Sequence, residues 1–257
     1  MPFTFAHPVA VLPLRRSRFL HTVPLIIGSL VPDVPYYFPS RLSRMLVDTH
    51  TLYGSFAICL PWGMAGLMLM LLLRYPLTAL LSARARWLCL QSLENLTARP
   101  FHWPVAFLSI LIGAWTHIAW DSFTHAGGWI TMHVAALNAP VAIFGWDTEV
   151  SHLLQYLSSV FGLVVLGLWL QSRLRRVPAA AGSELPGARA RWVLLVMIGG
   201  VAVSIGVWRS FAVWQPGDGY YRLAYLLLTR TISWFAALYL AAGLLATARS
   251  PEPEPAG

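Results

Sequence analysis

His117, Asp121 and His125 stand at i, i+4 and i+8 along one stretch of the chain. On a helix those spacings put all three on one face. Imidazole nitrogens and carboxylate oxygens are the ligands that zinc, manganese and iron take in hydrolytic sites. Three more residues of these types lie earlier: His7, Asp33 and His50. The six form a candidate metal set large enough for one or two divalent ions, with a carboxylate able to bridge. An ion so held acidifies a water and clamps the oxygens of a phosphoester. Asp33 follows Pro32 at the end of a short apolar stretch, and the proline turn is expected to aim its carboxylate inward. His50 opens a helix that Asp48 or Thr49 is expected to cap. His125 and Glu149 are the candidate catalytic groups, as proton shuttles. His133, His152 and Asp147 lie within reach of that region and are weaker candidates, as is His21 beside a basic cluster. His102 falls at the wrong end of its span for a ligand.

Those residues need elements to hold them. The chain has 257 residues, 57% hydrophobic and only 11% charged, with a mean hydropathy of +0.62. A soluble domain carries about 25% charged residues. Low charge and apolar runs near membrane-crossing length predict an all-α, polytopic membrane bundle. Five spans are expected near 51–73, 103–123, 153–171, 192–214 and 223–247. The apolar run at 19–31 is too short to cross and reads as a re-entrant or buried helix. The division expected is a metal-site core at 1–171, a flexible basic linker at 172–191, two spans within 192–248 and a disordered tail at 249–257. Two cysteines, Cys59 and Cys89, suggest neither a disulfide nor a metal pair.

The net charge of +8 does not point to nucleic acid, because the arginines cluster in short loops. Loop 74–99 holds four and the linker five, so both are expected on the cytoplasmic side. The stretch 124–152 has neither Lys nor Arg and is expected outside. This alternation places His50, before the first span, beside His117, Asp121 and His125, at the end of the second. A carboxylate inside a span costs roughly 3 kcal/mol, and flanking histidines suggest what offsets it. An interhelical hydrogen-bond network with Arg209 or Arg230 as counter-ion is the other reading. For His7 to reach the site, the N-terminal run must be re-entrant, with Arg15, Arg16 and Arg18 at the outer headgroups. That placement departs from the positive-inside pattern.

The order of these motifs carries a resemblance. Pro2–Pro8, Gly28-Ser29-Leu30-Val31-Pro32-Asp33, His50-Thr51 and the run from His117 to Trp129 resemble a bacterial membrane family, domain of unknown function 4184, over nearly the whole chain. The same order is similar to membrane-bound metal-dependent hydrolases and, more distantly, to zinc-dependent phospholipase C and P1-type nucleases. The resemblance implies metal ligation by His7, Asp33, His50, His117 and Asp121, with His125 as a sixth ligand and zinc as the metal. The later His-x3-Glu and the N-terminal tryptophan of the phospholipases are missing, so one or two ions are expected instead of three. It also implies the bacterial cytoplasmic (inner) membrane as the location.

The resulting expectation is an integral-membrane metal-dependent hydrolase. Its site faces the extracytoplasmic side, its partner is the lipid bilayer, and its substrate is a phosphoester or lipid-linked molecule. The alternatives are a non-catalytic membrane protein stapled by a His/Asp cluster and, less favoured, a metal-ion permease. A permease would need acids in spans three to five, which carry almost none.

Overall fold

The computed structural model describes residues 3–17, 19–38, 47–97, 102–143, 146–178 and 187–249. A 3-10 turn, Thr4–Ala6, leads into the short helices α1 (Pro8–Val11) and α2 (Thr22–Leu30). Then come α3 (Leu52–Leu72), α4 (Arg74–Thr78), α5 (Ala83–Thr97) and α6 (His102–Thr124). A small helix α7 (Trp129–His133) precedes a two-stranded antiparallel ribbon, β1 (Pro140–Ile143) and β2 (Trp146–Glu149). Three long helices close the described chain: α8 (Val150–Arg175), α9 (Ala188–Phe211) and α10 (Gly219–Arg249).

Among the described residues, five helices are long and apolar enough to cross a membrane: Leu52–Leu72, Trp103–His133, Val150–Arg175, Ala188–Phe211 and Arg222–Arg249. The all-α bundle expected from the sequence is therefore the fold. α6 ends at Thr124, close to the expected 123, and a turn at 125–128, with Gly127 at φ 81°, separates it from α7, which the longer candidate span takes in. Cys59 and Cys89 are free thiols. The ribbon at 140–149 was not anticipated, since its strands are only four residues each. Flexibility of the 172–191 linker and disorder of the 249–257 tail were expected. The middle of the linker, 179–186, and nearly all of the tail, 250–257, lie outside the described residues, while 172–175 end α8 and 188–191 begin α9.

The chain divides into two compact units. One takes in the chain through Pro35, the stretch up to Met68 and Asn95–Arg175; the other takes in Leu69–Glu94 and the chain from Arg176 onward. In the second, α9 and α10 meet where Gly206 faces Thr231, and Gly243 of α10 lies against the Pro76 carbonyl of α4. Arg230 donates to the backbone carbonyl of Arg209.

The first unit holds every candidate ligand, and two glycines set its geometry. A Cβ on Gly28 would lie 2.1 Å from the Ile110 carbonyl, and one on Gly113 would lie 2.3 Å from the Leu25 carbonyl. Only glycine lets α2 and α6 cross this closely. The crossing buries Leu25, Ile110 and Ala114.

The N-terminal path is a hairpin. The Phe3 N–H donates to Ser159 Oγ at 3.0 Å, and the Arg15 guanidinium lies 5.9 Å from the Trp169 ring centre. Ten residues of α8 separate these anchors, about 15 Å along its axis. The chain then returns: the His21 N–H donates to Ser109 Oγ at 2.9 Å, and Ser29 faces His117 eight residues further along both helices. The buried short helix expected at 19–31 is α2. Arg15, however, sits toward the end of α8 that carries Arg173 and Arg175, not beside His7. The expectation that Arg15 shares the end of the fold that holds His7 is thereby corrected.

The crossing yields a direct test. Gly28→Ala should cost on the order of 1–3 kcal/mol of stability, read as a lower thermal midpoint in detergent. Gly199→Ala, whose Cβ would meet nothing within 4 Å, should leave the midpoint in place. Equal midpoints would refute the wedge.

Candidate metal centre

Each ligand arrives by a local rule. Val31–Tyr37 is a 3-10 helix begun at the end of α2, and its first turn carries Asp33. Asp33 is wholly buried, and its Oδ2 accepts from Thr4 Oγ1 at 2.6 Å. His50 ends a 3-10 turn, Val47–His50. The helix after it is capped by Thr51, not by Asp48 or Thr49: Thr51 Oγ1 accepts from the Gly54 N–H at 2.9 Å and donates to the Asp48 carbonyl at 2.8 Å. Gly54 is obligatory here, because a Cβ would stand 1.7 Å from the Asp48 carbonyl. His117 and Asp121 share a face of α6, as their spacing predicts.

The remaining hydrogen bonds fix which ring nitrogen faces inward. His117 Nδ1 lies 2.7 Å from the Ser29 carbonyl. A carbonyl only accepts, so Nδ1 carries the proton and Nε2 of the neutral ring presents a lone pair. The Thr49 hydroxyl gives its proton to the Pro32 carbonyl at 2.8 Å. Its oxygen, 3.1 Å from His50 Nδ1, must then accept from that nitrogen. His50 Nε2 therefore also points a lone pair at the centre. Metal-binding histidines are held in this way, with the second nitrogen donating to a fixed partner.

Asp33, His50, His117 and Asp121 each offer one ligand atom, all within 4.8 Å of one another. Asp33 Oδ1 lies 3.6 Å from His50 Nε2 and 3.5 Å from His117 Nε2. Asp121 Oδ2 lies 3.4 Å and 3.3 Å from the same two atoms. Charge-assisted hydrogen bonds would draw such pairs to about 2.7–2.9 Å. Four ligands about 2.0–2.1 Å from a common ion form a tetrahedron with edges of about 3.3–3.4 Å. The four carboxylate–imidazole spacings are as long as such edges and longer than hydrogen-bonded ion pairs. Asp33 Oδ1, His117 Nε2, Asp121 Oδ1 and both nitrogens of His7 are buried without a hydrogen-bond partner. Leaving such atoms unsatisfied costs roughly 1–3 kcal/mol each, and a cation satisfies them together. The residues present fit a divalent metal.

Electrostatics agrees. Burial pushes the Asp33 carboxyl up, but the His117 and His50 imidazoles and the Thr4 hydroxyl beside it outweigh that and hold the group well below the usual carboxylate range. Burial lowers His50, yet Asp121 and Asp33 outweigh that and raise it. The carboxylates thus draw positive charge to this point, as a proton on His50 or as a metal that displaces it. His7 behaves differently. Burial, reinforced by His117, lowers it to about 3, so the ring is neutral. It stacks on His117 with centroids 3.7 Å apart and sets Nε2 3.5 Å from Asp121 Oδ1.

His125 Nδ1 also lies 3.5 Å from Asp121 Oδ1, and 3.2 Å from the Asp121 carbonyl. Four of the six expected ligands, His7, His50, His117 and His125, thus surround a fifth, Asp121, while Asp33 reaches the group through His50 and His117. Glu149 lies elsewhere in the fold, pairing with Pro140 in the ribbon. His133 Nδ1 lies 2.7 Å from the Trp129 carbonyl, and neither His133 nor His152 belongs to the group. Three supporting residues escaped the sequence reading: Thr4, Ser29 and Thr49. Only Thr49, adjacent to His50, left a local signal. Thr49→Val should weaken metal affinity roughly 10- to 100-fold, read by competition with a chromophoric chelator. Unchanged affinity would show that His50 needs no such support.

Comparison with known proteins gives one match. The model of the family described as domain of unknown function DUF4184 covers residues 1–248. No curated protein and no solved structure matches significantly, so the wider likeness to hydrolases has no counterpart there. The chain belongs to the DUF4184 family.

Proposed function

We propose that this chain is an integral-membrane hydrolase that cleaves a phosphoester in a lipid-linked substrate. It would use a divalent metal, zinc, held by Asp33, His50, His117 and Asp121. One observation carries the reading: four acceptor atoms within 4.8 Å of one another, with both imidazoles already committed on their other side. Two histidines and two carboxylates in a tetrahedron suit zinc. When bound, such an ion polarises a phosphoryl oxygen and lowers the pKa of a water.

The chain's own residues supply the rest. Asp33 and His117 are fully enclosed, whereas the His50 and His125 side chains are 29% and 30% exposed. Substrate therefore approaches along the His50–His125 edge. His125 sits at that edge and takes the proton-transfer role. An apolar groove of about 450 Å³ supports the lipid-linked substrate. Ala119, Trp120, Phe123, Leu154 and Leu157 line it, on the two spans flanking the centre. A smaller void lined by Ala6 and His7 shares Ala10, Trp120 and Ser158 with that groove. A hydrocarbon tail in the groove would run beside the centre at the depth of α6 that carries His117 and Asp121. Loop charge supports an outward-facing site in the bacterial cytoplasmic membrane: the ligands lie at the ends of α3, α6 and α8 opposite the arginine-rich loops.

A structural staple is the second reading, favoured by the complete burial of Asp33 and His117. The two readings separate cleanly. Zinc-loaded protein should hydrolyse a chromogenic phosphodiester, and His117→Ala and Asp121→Ala should lose both stoichiometric metal and turnover. Ala119→Trp, which fills the groove, should slow a long-chain diester but not a short-chain one. Variants that lose thermal stability from a parent with no turnover would favour the staple. Metal-free protein, with both variants like the parent, would sink metal binding altogether.

A further inference from the structure

The second unit carries charge that the metal centre does not use. Arg209 and Arg230 belong to this unit and the candidate ligands to the other, so the two arginines are not the counter-ions of the His/Asp cluster. Arg209 stands in the last turn of α9. Arg230 stands beside the α9–α10 crossing, where a Cβ on Gly206 would lie 2.3 Å from Thr231 Oγ1. From there its side chain reaches along α9 and donates to the Arg209 carbonyl, and the charge of Arg209 bears on it. Long basic side chains within spans reach for the interface in this way. Helix α9 has 24 residues, about 36 Å of helix, against a hydrocarbon core about 30 Å thick. Its last turn therefore lies at headgroup depth.

Two like charges at that depth need an anion. The dipole of α9 favours one cation at its C-terminal end, and the bond from Arg230 to a last-turn carbonyl is such a cap. A second guanidinium beside it is repelled. Residues 188–249 contain a single acid, Asp218. That carboxylate is already engaged: Oδ1 takes the Arg222 guanidinium, and Oδ2 accepts from the Gln215 N–H at 3.0 Å. Arg209 is exposed, and no carboxylate among the described residues pairs with it. Its neighbours Trp208 and Phe211 are exposed too, as are Val207 and Leu228. An exposed apolar surface on a span faces lipid, so the balancing anion comes from an amphiphile. We infer that Arg209 and Arg230 bind the phosphate of an anionic phospholipid, at the end of α9 remote from Arg189 and Arg191. The planar fork of each guanidinium matches phosphate oxygens, and Arg230 keeps N–H groups beyond the one given to the carbonyl. The acyl chains lie along the exposed apolar faces of α9 and α10. A zwitterionic lipid brings its own cation to the pair and binds less well.

Native mass spectrometry of the full chain in detergent tests the site, with phosphatidylglycerol and phosphatidylcholine titrated separately. The parent should bind one phosphatidylglycerol in preference to phosphatidylcholine, and excess inorganic phosphate should not displace it. Arg209→Gln and Arg230→Gln should each weaken that binding about fivefold. Arg230→Gln also removes a helix cap, whereas Arg209→Gln changes an exposed side chain and should leave the lipid-free thermal midpoint in place. Arg222→Gln removes the same charge from the neighbouring loop, where Asp218 already holds it, and should leave lipid binding unchanged. No preference between the two lipids, or equal losses in Arg209→Gln and Arg222→Gln, would reduce the effect to general charge attraction and overturn the site. Displacement by inorganic phosphate would overturn it in favour of a free anion. A dimer that Arg209→Gln dissociates would overturn it in favour of a second copy of this chain.

Discussion

Acceptors converging with no donor between them are the constraint on which the first unit depends. Two carboxylate oxygens and two imidazole lone pairs face one point, in a part of the fold where Asp33 and His117 have no access to water. Mutual repulsion among such atoms in a low-dielectric region is severe. Positive charge must therefore be supplied at that point, by protons or by a metal. The 3.3–3.6 Å spacings favour the metal, because protons would have pulled the pairs together.

That constraint spreads outward through backbone carbonyls. Ser29 lies in the last turn of α2, where carbonyls lack helical partners, and its oxygen is free to take the His117 proton. Pro32 cannot continue a helical ladder as a donor, but its carbonyl takes the Thr49 proton and so sets the tautomer of His50. The Thr49 carbonyl in turn accepts from the Cys59 thiol at 3.3 Å, tying the turn that carries His50 to α3. The same chain segment, 28–33, thus supplies the glycine that permits the α2–α6 crossing, the carbonyls that orient both rings and the carboxylate itself. The groups that orient the ligands are mainly loop and helix-end backbone, which leaves no side-chain signature in the sequence.

The parts of the site legible in the sequence were those with a short-range signature. His117 and Asp121 were visible as an i, i+4 pair, Asp33 through its proline turn, and His50 through its position before an apolar span. The five spans were visible for the same reason: composition over about twenty residues needs no tertiary information. What stayed hidden depends on contacts between distant segments. Thr4 meets Asp33 across 29 residues, and His117 meets Ser29 across 88. The depth of Arg15 was misread because a short apolar run says that the chain turns back, not how far it goes first. Trp169 decides that depth, and nothing near Arg15 in the sequence names it. The 140–149 ribbon was missed because four-residue strands leave too short an alternation to read.

Burial separates the candidate ligands by task. Asp33 and His117 meet no solvent and serve one point from opposite sides of the α2–α6 crossing. An ion held only by such groups would be sealed in, and the staple reading would be the natural one. His50 and His125 break that seal, each with about three-tenths of its side chain exposed. They also stand on different oxygens of Asp121. The carboxylate therefore links an enclosed face to an open one through a single side chain, on the helix that also lines the apolar groove. A purely structural cluster has no need of an open face beside an apolar groove. The hydrolase proposed above would use the open face to admit an anionic headgroup and the groove to hold its tail.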